Sequence, residues 1–174
     1  ILKQNGFQIP VITTLHGTDI TLVGINHAFA PVVEFSINAS DGVTAVSESL
    51  REQTLSSFHI NKPIRVIHNF INFERFRKNN KEHFKKAIAP NGEKIMIHVS
   101  NFRQVKRVQD VFSIYCRVAS QIPSKLLLIG DGPMRHELEE KARHRSDYLD
   151  IRFLGKQDAV EELLAISDLF LLTS

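Results

Sequence analysis

Cysteine is almost absent from this sequence, since Cys116 is the only one in 174 residues. It has no second thiol in the chain to pair with, so an intramolecular disulfide framework is excluded. A chain without disulfides is typical of a reducing compartment, and we therefore expect a cytoplasmic location. One cysteine also argues against a zinc site built on thiolates.

Long apolar runs are absent as well, because no stretch reaches the roughly 18 residues of a membrane span. No block of five or six like charges occurs, and the net charge is only +3. This pattern argues against a nucleic-acid surface and against stable membrane association. A small substrate that carries phosphate groups fits the modest basic excess.

Several catalytic and metal-binding signatures are missing. The eight histidines show no His-x-His or His-Glu-x-x-His spacing, so we expect no bound metal. Neither a Gly-x-Ser-x-Gly elbow nor a complete P-loop is found, which leaves hydrolase and NTPase functions without support.

Short apolar runs alternate with helix-period segments along the whole chain. The predicted strands cover residues 11–15, 42–46, 64–67, 95–99, 125–129, 151–154 and 169–172. The predicted helices cover residues 27–38, 48–58, 108–119, 133–144 and 158–166. Ser47 is the expected N-cap of the second helix, and Pro133 suits the first position of the fourth. Such alternation predicts βαβ units and an α/β fold with parallel sheets covered by helices.

A change of composition divides the chain. Residues 72–90 are basic and polar with weak apolar periodicity, and the turn Asn91-Gly92 follows. We therefore place a first domain at 1–75, an interdomain hinge at 76–91 and a second domain at 92–174. Because the chain opens without methionine and closes directly after an apolar run, we also expect it to be a piece of a larger protein.

The most informative stretch is the strand at 95–99 with the polar turn and helix that follow it. In an open α/β sheet, ligands bind at the carboxyl ends of the strands. The turn there carries Arg103 and Lys106, and a guanidinium with an ammonium suits a phosphate group whose charge grows as a bond breaks. A solvated start of a helix would explain the same two residues.

Two other strand ends carry candidate residues. The sequence Gly130-Asp131-Gly132 follows a strand and opens a helix, as a phosphate loop would, although a plain strand-to-helix turn explains it equally well. His16 ends the first predicted strand and could face a ligand, whereas a structural role is the alternative.

Four segments in this order, residues 10–19, 100–110, 126–133 and 153–157, resemble the retaining glycosyltransferases of family 4. The resemblance implies the GT-B fold, with two Rossmann-like domains facing a cleft, and both domains are expected to be incomplete here. Within that family, His16-Gly17-Thr18-Asp19 and residues 100–107 are most similar to bacterial enzymes that transfer N-acetylglucosamine from UDP-GlcNAc to L-malate during bacillithiol biosynthesis.

The resemblance also implies roles for individual residues. Arg103 and Lys106 match the basic pair that binds the donor diphosphate in place of a metal, so no metal or other cofactor is expected. Gly130-Asp131-Gly132 matches the family's glycine turn near the nucleotide. Lys156-Gln157 matches the loop that meets the base, and His16 matches the histidine near the donor sugar. Residues 69–72 depart from the family pattern and receive no role.

The same resemblance leaves parts of the assignment open. The family's glycine-rich loop and its paired glutamates are not found in these 174 residues. A family member with a lipid or polysaccharide acceptor is one alternative, although no basic, aromatic-rich amphipathic helix supports it. A non-catalytic sugar-nucleotide binding module is another. Self-association as a homo-oligomer stays open.

Overall fold

A computed structural model describes residues 5–6, 8–17, 20, 28–78, 81–144 and 150–174. The chain forms two compact units, Ile1–Ile71 and Asn72–Ser174. Each unit has its own parallel sheet and its own apolar core. The expected α/β architecture with two parallel-sheet domains is confirmed.

The first unit contains three parallel strands in the order β1-β2-β3, which are Ile12–Leu15, Gly42–Ala45 and Ile64–Val66. Its helices are α1 (Ala30–Asn38) and α2 (Glu48–Ser57). The Oγ of Ser47 accepts a hydrogen bond from the Leu50 backbone N–H at 3.1 Å, which confirms the predicted N-cap of α2. Leu15, Ala45 and other buried apolar side chains form the core of this unit.

The second unit contains a four-stranded parallel sheet in the order β6-β5-β4-β7. The strands are β4 (Lys94–Val99), β5 (Ser124–Ile129), β6 (Ile151–Gly155) and β7 (Leu169–Phe170). The helices are α3 (Glu82–Ile88), α4 (Val108–Ala119), α5 (Arg135–Arg143) and α6 (Val160–Ile166), with a short 3₁₀ helix at Gln104–Lys106.

Helices cover both faces of this sheet, which explains why its two central strands are apolar over most of their length. Because side chains alternate along a strand, Met96 packs into the cluster with α4 and α5, whereas Ile95 and Ile97 pack with α3 and α6. On α4, the side chains of Val108, Val111, Phe112 and Tyr115 lie on one face of the helix and are all buried.

The strand order defines where a ligand binds in such a sheet. From β4 the chain proceeds to β5 and β6 on one side, and then returns to place β7 on the other side of β4. This reversal is the topological switch point of a doubly wound fold, and the crevice outside its carboxyl ends is the usual ligand site. The turn that follows β4 therefore lies beside the expected binding position.

Helix α3 was not predicted, because residues 72–90 show only weak apolar periodicity. The helix has seven residues, and it buries Ile88, with the adjoining Ala89, against the sheet. An ion pair adds to this contact, because Lys85 Nζ lies 2.6 Å from an Asp168 oxygen. A helix this short shows too few turns for a periodic signal. The position of the hinge at 76–91 stays a prediction.

Some predicted element ends were also wrong. Helix α5 begins at Arg135 with Met134 as its N-cap residue, so Pro133 lies in the preceding turn rather than at the first helical position. Strand β7 has two residues where four were predicted. Helix α1 begins at Ala30, and the predicted start at His27 lies outside the described residues.

Candidate functional site

The candidate site is the edge of the second unit's sheet at which its parallel strands end. Three turns follow neighbouring strands there: the basic turn (residues 100–107) after β4, the glycine turn (130–134) after β5, and the turn 155–159 after β6. Backbone hydrogen bonds hold their first residues side by side. Ser100 N–H donates to the Ile129 carbonyl at 3.1 Å, and Gly130 N–H donates to the Gly155 carbonyl at 2.7 Å.

The basic turn has an unusual backbone. Phe102 has a φ of 37° and Arg107 a φ of 48°, which are left-handed conformations that non-glycine residues rarely adopt. The Phe102 side chain is fully buried, so the chain dips into the core between β4 and α4. The residues after Phe102 then return to the surface, where Arg103 is exposed and Lys106 is half-buried.

Arg103 and Lys106 carry positive charges that no other group neutralises within the part of the chain that the structure describes. Neither side chain makes a hydrogen bond or ion pair with a described residue. Arg107 differs, because its Nε donates to an Asp110 carboxylate oxygen at 2.6 Å. The basic turn therefore offers two cationic groups to an anionic ligand at the switch point.

The glycine turn packs directly on the basic turn. A Cβ atom added to Gly130 would lie 1.8 Å from the Ser100 carbonyl oxygen, and one added to Gly132 would lie 2.0 Å from the Asn101 carbonyl oxygen. Gly130 also has a φ of 119°, which favours glycine. The Asp131 carboxylate accepts the Gly132 N–H at 2.9 Å and so closes the turn locally. Both glycines are thus required for the two backbones to approach.

Beneath the basic turn lies His98, a fully buried residue of β4. Its Nδ1 lies 2.9 Å from the Leu171 carbonyl oxygen and its Nε2 lies 2.8 Å from Ser100 Oγ. Burial lowers the pKa of His98, the bond to Leu171 opposes this, and the charge of Lys106 lowers the pKa further. The imidazole is therefore neutral near pH 7.

The remaining predicted site residues divide between the two units. Lys156 and Gln157 are exposed in the turn after β6, where Gln157 Nε2 donates to the Leu154 carbonyl at 2.6 Å. They share the sheet edge with the basic and glycine turns. His16 belongs to the first unit, where it is exposed directly after β1. The neighbouring motif residues Thr18 and Asp19 lie outside the described residues.

Among the residues that the structure describes, no group of three or more histidine, cysteine, aspartate or glutamate side chains has the arrangement of a metal site. None of the described helices combines the length and apolar character that crossing a membrane requires.

Two family models together cover nearly the whole chain. The model described as Glycosyltransferase Family 4 matches residues 1–75, and the model described as Glycosyl transferases group 1 matches residues 79–174. The second match alone covers more than half of the chain. The protein therefore belongs to the glycosyl transferases of group 1. The match of residues 1–75 agrees with the resemblance to family 4 that the sequence motifs indicated.

Two curated relatives differ in how much of this chain they match and in how similar they are to it. The N-acetyl-alpha-D-glucosaminyl L-malate synthase of Bacillus anthracis is 44% identical over 170 residues, which are 97% of this chain and 45% of that enzyme. The putative glycosyltransferase EpsF of Bacillus subtilis is 30% identical over 64% of this chain and 30% of its own length. The chain thus spans less than half the length of these curated relatives.

Solved structures show the same fold. Anabaena Alr3699/HepE in complex with UDP-glucose superposes with a TM-score of 0.79 at 17% identity, covering 95% of this chain and 47% of that one. Staphylococcus aureus TarM, solved as a G117R mutant with UDP and other ligands, gives a TM-score of 0.67 at 19% identity over 84% of this chain and 28% of its own. The GT-B fold is thereby confirmed.

The contact between the glycine turn and the basic turn generates a stability prediction. Replacing Gly130 with Ala should lower the free energy of unfolding by about 3 kcal/mol or more, because backbone strain and overlap with a carbonyl oxygen add. Gly92→Ala is the matched control, since Gly92 has a φ of 80° and open space around its Cβ position. Urea denaturation should show a loss of only about 1 kcal/mol for the control. Equal losses in the two variants would contradict the close approach described here.

Proposed function

We propose that this chain is part of a retaining, metal-independent glycosyltransferase that moves N-acetylglucosamine from UDP-GlcNAc to L-malate. The observation that carries the choice of donor and acceptor is the 44% identity, over 97% of the chain, to the Bacillus anthracis L-malate synthase. The site geometry supports the nucleotide part of the proposal independently, because two cationic groups that have no partner among the described residues lie at the switch point of a Rossmann-like sheet.

Arg103 and Lys106 are the proposed ligands of the donor diphosphate. The planar guanidinium binds phosphate oxygens in a bidentate manner, and the ammonium of Lys106 acts as a compact charge from the half-buried end of the turn. When the bond between the sugar C1 and the diphosphate oxygen breaks, negative charge grows on that oxygen. Two fixed positive groups stabilise this charge in the transition state, which is the role that a divalent metal performs in other transferases.

The other turns are proposed to hold the nucleoside. The glycine turn packs against the basic turn, so it is proposed to lie beside the diphosphate or the ribose of the donor. Lys156 and Gln157 follow β6 and are proposed to meet the base. His16 is proposed to approach the donor sugar, a role that rests on the resemblance of its motif. Attack by the malate hydroxyl from the face that the diphosphate leaves would retain the α-configuration.

The basic pair is tested by two single substitutions in a protein of the relatives' full length. Arg103→Ala and Lys106→Ala should each lower kcat about a hundredfold, or about 3 kcal/mol of transition-state stabilisation, since the departing diphosphate loses one cation. Arg117→Ala is the matched control, because it removes an exposed cation near the opposite end of α4. Steady-state kinetics beside thermal denaturation separate catalysis from folding. A folded Arg103 or Lys106 variant with parental turnover would overturn the proposed role.

The reaction is tested with the chain extended at both ends to the length of its relatives. Incubation with UDP-GlcNAc, a chelator and a panel of hydroxy acids should yield the α-linked malate glycoside. Omission of malate is the control, and NMR of the product reports its anomeric configuration. A β-linked product, or activity that the chelator abolishes, would contradict the mechanism. Transfer to other acceptors but not to malate would overturn the acceptor alone.

A further inference from the structure

We infer that His98 and Thr173 are positioning residues that hold the basic turn in the conformation that presents Arg103 and Lys106. Neither residue is assigned a role by the resemblance or by the proposed function, although the inference rests on that function. His98 is fully buried and so acts through other groups rather than on a substrate.

The basic turn requires support from outside its own sequence. Phe102 and Arg107 both hold left-handed backbone conformations, which persist only where the surrounding structure imposes them. Arg107 is also the N-cap residue of α4, and no side chain caps that helix end. The groups that impose this conformation must therefore be found in neighbouring segments.

His98 supplies the support from beneath. Because a carbonyl oxygen only accepts, the Nδ1 of His98 must carry the proton that binds the Leu171 carbonyl oxygen, at 2.9 Å. The unprotonated Nε2 then accepts the hydroxyl proton of Ser100 at 2.8 Å. Ser100 Oγ in turn accepts the Phe102 N–H at 3.3 Å. The neutral imidazole thus determines which group donates and which accepts in the hydrogen bonds that link Leu171, His98 and Ser100, and Ser100 is left to accept from Phe102.

Phe102 transmits this support to the glycine turn. Its ring stacks on the His98 imidazole with 6.3 Å between centroids and 23° between planes. Its carbonyl oxygen accepts the Met134 N–H at 3.1 Å. Loss of the His98 bonds would therefore loosen the contact between the basic and glycine turns as well.

Thr173 supplies the support from the side of β7. Its Oγ1 lies 2.9 Å from the Lys106 carbonyl oxygen and 3.2 Å from that of Arg107, so one hydroxyl proton is shared between two consecutive carbonyls. These carbonyls lie where the 3₁₀ helix passes into α4. Leu171 and Thr173 belong to the same segment. It follows β7, which lies on the side of β4 opposite to β5 and β6. The segment 171–173 therefore contacts the end of the basic turn directly, through Thr173, and its beginning indirectly, through His98.

The experiment compares how variants of this chain bind UDP, pyrophosphate and uridine, followed by NMR titration. Thr173→Val removes the bridging hydroxyl and keeps the side-chain shape, and Ser100→Ala cuts the link between His98 and Phe102. Each should weaken UDP and pyrophosphate about fivefold, the effect of losing one hydrogen bond. Uridine should change by less than about twofold, because the basic turn holds only the phosphates. Thr173→Ser, which restores the hydroxyl, should bind all three probes like the parent.

Ser113→Ala is the matched control, since it removes a hydroxyl that binds the Gln109 carbonyl within α4, away from the basic turn. It should leave the affinity for all three probes unchanged. Equal weakening of uridine and UDP in the Thr173 and Ser100 variants would show a merely structural role and overturn the inference. Parental UDP binding in both variants would overturn it too. A parent chain that binds neither UDP nor pyrophosphate would overturn this inference together with the proposed function, whereas the other two results leave the proposed function standing.

Discussion

The contact between the glycine turn and the basic turn is the constraint on which the rest of the site depends. Two backbones approach so closely that no side chain fits at Gly130 or Gly132. This contact fixes the turn after β5 against the turn after β4, and it leaves Arg103 and Lys106 at the sheet edge beside β7. A substitution at either glycine would therefore also disturb the turn at which the donor phosphates are proposed to bind.

Much of this arrangement could be predicted from the sequence. Strand–helix alternation indicated parallel sheets covered by helices, and the apolar runs at β4 and β5 indicated strands. The order of motifs identified the family, and Ser47 marked the start of α2. These signals succeed because each is local: a period, a cap or a turn residue is set by a few neighbours in the chain.

The features that escaped prediction depend on contacts that are distant in sequence. Helix α3 shows little periodicity of its own, because its burial is completed by the sheet and α6, and by the ion pair of Lys85 with Asp168. His98 looked like one of several histidines without a motif, although its place in an otherwise apolar strand was a signal for a specific partner. Its partner, the Leu171 carbonyl, is 73 residues away. Sequence spacing alone could not reveal that the segment after β7 braces the basic turn.

The central claim is that the nucleotide binds at the carboxyl edge of the second unit's sheet. Backbone amide NMR of this chain during titration with UDP tests it most directly, because each amide reports its own surroundings. If the nucleotide binds there, shift changes concentrate in residues 100–107, 130–134 and 155–159. Changes confined to the first unit, or spread over the helices that cover the sheet faces without affecting these turns, would contradict it.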